Sequence, residues 1–220
     1  MVEPCTDEAL YQAWAAGDRR AGGSLVDRHV PPISRFFANK VWHGDDVEDL
    51  VGKTFEACAR DLGKFRAEGS FRAYLFGIAH NILRRYLRDK RHREDAPVGE
   101  HDDARSDDSP SPSAVLGRCR EERVLLRALR ALPIDLQLVL ELSFFEELSR
   151  TEIACVLEIP GGTVASRFRR AQAELAEQVA RLSETRAIAE STVHGLADWA
   201  KSLRDQLSNG GQRRLARMQR

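Results

Sequence analysis

Apolar residues recur at intervals of three and four along most of this 220-residue chain, and no convincing stretch alternates apolar with polar in the period of a strand. A stripe of that period lies on one face of a helix and has to be buried against another helix. The expectation is an all-α protein. It comprises two small helical domains joined by a flexible acidic linker, the second domain carrying a helix-turn-helix, and a C-terminal helical extension.

Residues 7–16 read as a capped helix that breaks at Gly17-Asp18. A second helix runs through Leu25, Val26 and Val30, and Pro31-Pro32 is expected to open a third carrying Ile33, Phe36, Phe37 and Val41, because proline suits a first helical turn. Asp45 and Asp46 are expected to cap a fourth. Its stripe is Val47, Val51, Phe55, Cys58 and Leu62, which leaves Glu48, Asp49, Gly52, Lys53, Glu56 and Arg60 facing outward. After a loop over 64–70, a fifth helix buries Phe71, Leu75, Ile78, Ile82 and Tyr86 and turns Asn81, Arg84, Arg85 and Arg88 elsewhere.

A second unit starts near Ala114 with helices over 116–132, 134–145 and 148–157. The segment 158–162 reads as a turn and Thr163 as the start of a longer helix, with Val164, Phe168, Ala171 and Leu175 inward and Thr163, Ser166, Arg167 and Arg170 opposite. A short helix, a tight turn and a helix with a cationic outer face make a helix-turn-helix pattern. Beyond residue 184, Val193, Leu196, Ala200, Leu203 and Leu207 stripe a helix beside Trp199 that seeks a partner surface.

Charge is sharply sorted. Residues 71–93 hold seven Lys and Arg against Asp89 alone, while the next twenty hold seven acids against Arg105, so a formal net charge of zero conceals two opposed fields. Cations interleaved with aromatics can neutralise phosphates and stack unpaired bases, and Asn81 offers an amide suited to a base edge. A solvated basic helix with its rings in the core is the plainer account of the same residues. Arg167 and Arg170 could reach guanine edges or phosphates, although an ordinary helical hairpin would also display them to solvent.

Several function classes are excluded. No run of about 18 apolar residues is present to span a membrane, and the N-terminus lacks the pattern of a secretory signal. Cys5, Cys58, Cys119 and Cys155 are scattered, which argues against a disulfide framework or zinc site and fits a reducing cytoplasm. His29, His43, His92, His101 and His194 are isolated, and Asp102, Asp103, Asp107 and Asp108 lie in a Ser/Pro-rich run where solvation suits them better than metal binding. No phosphate-loop, nucleophile-elbow or zincin motif occurs. No catalytic residue, cofactor or metal is expected.

The segments DVEDLVGKTF (46–55), KFRAEGSFRAYLFGIAHN (64–81) and EIACVLEIPGGTVASRFRRA (152–171), in that order, resemble the extracytoplasmic-function group of bacterial RNA polymerase sigma factors. The resemblance implies a division into 1–93 (polymerase binding, −10 recognition and melting), an acidic linker over 94–113, 114–183 (−35 recognition) and an extension over 184–220. It implies polymerase-clamp contacts by Asp46, Glu48, Asp49, Leu50 and Phe55. It implies −10 contacts by Lys64, Phe65, Arg72, Tyr74, Asn81, Arg84, Arg85 and Arg88, with Tyr74 as an aromatic wedge at the melted edge. It assigns −35 reading in the major groove to Thr163, Ser166, Arg167, Arg169 and Arg170. The implied partners are core RNA polymerase and promoter DNA, with an anti-sigma factor as a further candidate and no membrane insertion. The acidic linker would then occupy the polymerase's RNA-exit path.

The chain departs from the family pattern at named points. Gly52-Lys53 stands where Gln and an acid are usual, His80 and Ala165 replace basic residues, and Pro160-Gly161 replaces a serine-acidic helix start. Two rivals follow: a free-standing helix-turn-helix regulator dimerising through 192–207, and an adaptor that binds polymerase without melting DNA.

Overall fold

The computed structural model describes residues 5–41, 43–65, 69–94 and 120–182, and every regular element among them is an α-helix. The linker, the expected helix start at 116–119 and the 192–207 stripe lie outside the described residues. Helices α1 (Asp7–Ala15), α2 (Arg19–Ala38), α3 (Gly44–Arg60) and α4 (Phe71–Glu94) form one unit; α5 (Arg120–Arg130), α6 (Ile134–Phe144), α7 (Arg150–Leu157) and α8 (Gly161–Leu182) form the other.

Local chemistry sets the helix starts. Thr6 Oγ1 accepts the Ala9 N–H at 3.2 Å to begin α1, and Asp18 Oδ1 accepts those of Arg20 and Ala21 at 2.9 and 3.3 Å to begin α2. The first unit closes around Tyr11, which is 1% exposed. Its hydroxyl accepts the Gly63 N–H at 2.8 Å, and its ring meets Phe65 and Phe71 at centroid distances of 5.2 and 5.4 Å.

The expected break at Pro31-Pro32 does not occur: α2 runs unbroken through both prolines. The carbonyls that lose their helical donors, those of Asp27 and Arg28, belong to exposed residues where water can serve them. Burial of Leu25, Ile33, Phe36 and Phe37 at about 1.5–3 kcal/mol each holds the helix against the rest of the unit. The cap of α3 also differs, because His43 occupies the cap position without a side-chain bond and Asp45 and Asp46 lie in the first turn. There they favour the helix dipole but do not cap.

Helix α4 is buried more widely than one stripe. Phe76, Ala79, His80 and Leu83 join Phe71 and Leu75 below 9% exposure, whereas Ile78, Ile82 and Tyr86 are half-buried. The reason is that α4 packs on α3 along one side and on α7 along another. Helix α6 is likewise enclosed all round, with Gln137 and Glu141 buried among Leu136, Leu138, Val139, Leu140 and Leu142. One apolar cluster therefore runs from Tyr11 and Phe76 to Ile153 and Val164 across both units, while a second, built on Leu125, Leu129, Leu136 and Leu175, belongs to the second unit alone.

Ser149 and Glu152 form a reciprocal capping box at α7. Its C-terminus ends in a left-handed residue, Glu158 at φ 55°, with the Ile159 N–H bonded to the Ala154 carbonyl at 3.1 Å. Because Glu158 supplies the reversal, Pro160 can serve as the last residue before α8. Its carbonyl accepts from Thr163 and Val164 at 2.9 and 3.1 Å, so α8 begins at Gly161, two residues before the expected start.

A buried histidine sets a pH dependence. His29 Nε2 lies 2.8 Å from Asp7 Oδ2, and burial pushes the imidazole below its ordinary value although Asp7 opposes the shift. Burial alone would raise the Asp7 carboxyl, but His29 and Arg28 hold it below the usual carboxylate range. The unfolded chain therefore takes up the His29 proton first as pH falls through about 6.5, and stability drops below that pH. Denaturant unfolding of His29→Gln should show a shallower loss between pH 7 and 5.5 than the parent; Asp7, titrating lower, does not act in that window.

Two helical glycines should respond oppositely to alanine. A Cβ on Gly22 would fall 2.6 Å from the Trp14 indole nitrogen, whereas one on Gly52 meets nothing within 4 Å. Calorimetry should find Gly22→Ala destabilised by about 1–3 kcal/mol and Gly52→Ala stabilised by about 0.5–1 kcal/mol.

Candidate nucleic-acid interface

Asn81, Arg84, Arg85 and Arg88 are all exposed and lie at spacings of three, one and three on α4, so they form one polar stripe. Lys64, in the loop before α4, is exposed and paired with Asp61 at 2.8 Å. The aromatics are placed differently. Phe65 is 8% exposed and lies in the core; Tyr74 is half-buried, with its ring 5.4 Å from Phe65 and 6.2 Å from Phe71. Burial pushes the Tyr74 hydroxyl up to about 12. These rings pack against one another in tilted and edge-to-face contacts, so in this conformation Phe65 offers no open platform.

On the second unit, Ser166, Arg169 and Arg170 are exposed while Thr163 and Arg167 are half-buried. Arg170 Nε reaches Glu174 Oε1 one turn on at 2.7 Å, which holds its guanidinium beside the helix; Arg167 Nε lies 3.5 Å from Asp135. The arrangement of α7, its left-handed turn and α8 is a helix-turn-helix, whose second helix presents its N-terminal residues to base edges when docked in a major groove.

The α3 residues fall into two groups. Glu48 and Asp49 are exposed, the latter paired with Lys53, and half-buried Asp46 accepts the Tyr86 hydroxyl at 2.7 Å. Leu50, in contrast, is 2% exposed and supports α3 from beneath, and Phe55 is half-buried against the core. Leu50 and Phe65 are thus the two expected contact residues that the fold withholds from the surface.

Between the units lies a polar cluster that no expectation covered. Lys40, its side chain 0% exposed, ion-pairs with Glu141 and donates to the Phe36 carbonyl at 2.8 Å. Glu141 also accepts from Asn39 at 3.2 Å and from Gln137 at 2.8 Å. Glu146 pairs with Arg35, and its backbone carbonyl accepts from Arg72 at 3.2 Å. Burial lowers the Lys40 ammonium despite Glu141, and burial raises the Glu146 carboxyl despite Arg35. A signal existed in the sequence: Gln137 and Glu141, four apart, are polar residues within the apolar run 136–142, a pattern that asks for a buried partner.

Two more pairs cross the same boundary. Ser70 donates to Glu152, and Arg84 lies 3.4 Å from Glu158. The latter two flank a cavity of about 380 Å³ lined also by His80, Leu138, Asp135 and Arg167. Burial lowers the His80 imidazole, and the neighbouring Arg84 lowers it further. One residue from each expected DNA-reading set, Arg84 and Arg167, thus faces a single interdomain space.

Comparison with known proteins agrees with this architecture. Residues 25–93 match the Sigma-70 region 2 family and residues 122–175 match Sigma-70, region 4. The chain is 32% identical over 183 residues to the ECF RNA polymerase sigma-E factor of Haemophilus influenzae, covering 78% of this chain and 94% of that protein. It is 30% identical over 188 residues to the Escherichia coli K12 sigma-E factor, covering 81% and 97%. The solved structure of CnrH in complex with the cytosolic domain of CnrY superposes with a TM-score of 0.55 at 25% identity, covering 80% of this chain and 99% of CnrH. The sigma factor RpoE of Bartonella quintana, bound to the anti-sigma factor NepR, shares the fold with a TM-score of 0.54 at 20% identity over 74% of this chain and 97% of RpoE. A match to sigma-E factors over about four fifths of this chain and nearly all of theirs, with region 2 ending on the cationic helix and region 4 enclosing the helix-turn-helix, makes this chain a member of the sigma-70 family, in the extracytoplasmic-function group of RNA polymerase sigma factors.

Proposed function

We propose that this sigma factor divides promoter recognition between its two units. Residues 1–93 bind core polymerase and melt the −10 element, residues 114–183 read the −35 element, and catalysis is left to the polymerase in the cytoplasm. The observation that carries this reading is the coincidence of the two family matches with the two cationic helices. The region 2 match ends on the stripe Asn81, Arg84, Arg85 and Arg88, and the region 4 match contains Ser166, Arg167, Arg169 and Arg170.

The chemistry of each surface suits its task. Region 2 must offset an unstacking cost of a few kcal/mol per base step with ring stacking and phosphate neutralisation. Tyr74, half-buried at the edge of the aromatic cluster, is positioned to turn outward, whereas Lys64, Arg72, Arg84, Arg85 and Arg88 supply positive charge. On α8, Arg169 and Arg170 are the exposed cations for a groove, with Thr163 and Ser166 at the helix start for phosphate or base contact. Glu48 and Asp49, exposed on α3, are the charged candidates for the polymerase clamp, with Asp46 and Phe55 flanking them. The solved relatives are complexes with the cytosolic domain of CnrY and with the anti-sigma factor NepR, which supports an anti-sigma partner for this chain as well.

Run-off transcription with purified bacterial core polymerase tests the reading, since a free-standing regulator would bind its operator without core and initiate nothing. Arg170→Ala should weaken initiation at −35-dependent promoters by about fivefold or more, at about 1–3 kcal/mol per lost base contact, and leave promoters lacking that element near the parent rate. Tyr74→Ala should slow strand opening, read by a fluorescent base in the −10 element, more than it weakens initial binding. Equal loss at both steps in both variants would refute the division of labour. Arg85→Ala should flatten the salt dependence of holoenzyme–promoter association by roughly 0.7–0.9 in log–log slope for the one phosphate contact removed.

A further inference from the structure

We propose that the cavity between α4 and the helix-turn-helix binds a small uncharged molecule, mostly apolar and carrying one O–H or N–H donor, which Nδ1 of His80 accepts. The inference goes beyond the sigma-factor reading and does not depend on it.

A buried acceptor defines the ligand's polar group. His80 is 6% exposed and lines the cavity, and its Nδ1 is buried with no hydrogen-bond partner among the described residues. The imidazole also donates a hydrogen bond to the Val156 backbone, and since Nδ1 is unpartnered, that bond leaves from Nε2. Burial, helped by Arg84, holds the ring below its ordinary value and therefore neutral. A neutral imidazole that donates from Nε2 can only accept at Nδ1. Buried acceptors in folded proteins are almost always answered by a donor, because leaving one unanswered is costly. The acceptor is also a property of this chain: His80 stands where the family pattern has a basic residue, and neither lysine nor arginine can accept.

Cancelled charge makes the ligand neutral. Arg84 lies 3.4 Å from Glu158, and Arg167 lies 3.5 Å from Asp135, so each ion that lines the cavity already has its opposite beside it. Neither an anion nor a cation finds an uncompensated partner there. The four ionic side chains are 32–60% exposed and His80 is buried, which puts the charges toward the mouth and the acceptor toward the floor.

The remaining walls are hydrocarbon. Leu83, Leu138 and Leu157 are buried, and Leu87, Ile134 and Ile159 are half-buried. A volume of about 380 Å³ falls within the range of about 300–1,000 Å³ usual for small-molecule sites, where apolar walls supply affinity and a few polar groups supply selection. Helix α4 contributes His80, Leu83 and Leu87, while the second unit contributes the opposite wall. A bound molecule thus touches both and stabilises the fold by mass action.

The test uses the full chain, labelled with 15N, and three probes of similar size. These are 4-methylphenol, which carries the donor, 4-methylanisole, in which a methyl group blocks it, and 4-methylbenzoate, which is charged. In the parent, 4-methylphenol should raise Tm with concentration and shift the resonance of the unprotonated His80 nitrogen, assigned by its disappearance in His80→Phe. It should bind about fivefold or more tightly than either other probe, the difference expected for one hydrogen bond to a buried acceptor. His80→Phe should abolish the preference for 4-methylphenol over 4-methylanisole. Leu87→Trp, whose indole fills the cavity and leaves His80 in place, should abolish detectable binding of all three. Should His80→Phe lose helical content, the three probes compared on the parent and on Leu87→Trp still decide. Equal affinity of the parent for 4-methylphenol and 4-methylanisole, a His80 resonance unmoved by saturating 4-methylphenol, or undiminished binding by Leu87→Trp overturns the site. A chain that binds the probes as expected yet initiates nothing with core polymerase refutes the sigma-factor reading and leaves the site standing.

Discussion

Glu141 sits at 3% exposure inside an apolar helix, and the arrangement of the whole molecule follows from satisfying it. A carboxylate taken from water without partners would neutralise itself or unfold its surroundings. Here the donors are Gln137 from its own helix and Asn39 and Lys40 from the end of α2. Two of the three belong to the other unit, so the second unit's most enclosed helix is incomplete by itself. Removing one partner of a buried pair typically costs about 3–5 kcal/mol, a large share of the about 5–15 kcal/mol that stabilises an ordinary domain. An apolar replacement of both partners, of similar shape, could serve the core as well, whereas removal of either partner alone strands a buried charge.

That requirement explains where the sequence was legible and where it was not. Helical period located the described helices, although it was read as two helices across α2, and the outward residues of α3 and α4 follow directly from it. What period cannot reveal is how many neighbours a helix has. Phe76, Ala79, His80 and Leu83 lie off the stripe read for α4 and are buried because α7 covers a second side. Pro31-Pro32 misled for a related reason: the rule that proline opens a helix is local, and the packing of Leu25, Ile33 and Phe36 around it is not. At α8 the glycines drew the turn two residues too far along, because the left-handed reversal was supplied by Glu158, a residue type that seldom adopts it.

The expected contact residues divide along the same line. That Arg85, Arg88, Arg169 and Arg170 lie on the surface could be read from their charge and helical spacing, because nothing buried competes for them. Leu50 and Phe65 could not, since an apolar side chain gives no sign in sequence of whether it faces a partner protein or its own core. Arg72, Arg84 and Arg167 form an intermediate group: each is where a DNA contact was expected, and each has a carboxylate beside it, Glu146, Glu158 and Asp135 respectively.

This last pattern bears on why the proposed recognition surfaces are built from arginine. A guanidinium is always charged and donates to carboxylate and phosphate with similar geometry, so one side chain can hold a carboxylate here and suit a phosphate on the proposed promoter without titrating. A lysine buried in the same place would lose its proton more readily, as the lowered ammonium of Lys40 illustrates. Lys40 lies at the centre of the boundary, paired with Glu141 beside the buried Arg35–Glu146 pair, and Arg84 lies toward the rim, paired with Glu158. The rim pair contributes little to holding the units together because both ions are solvated, so the cohesion of the boundary rests on the buried pairs and on the apolar cluster the two units share.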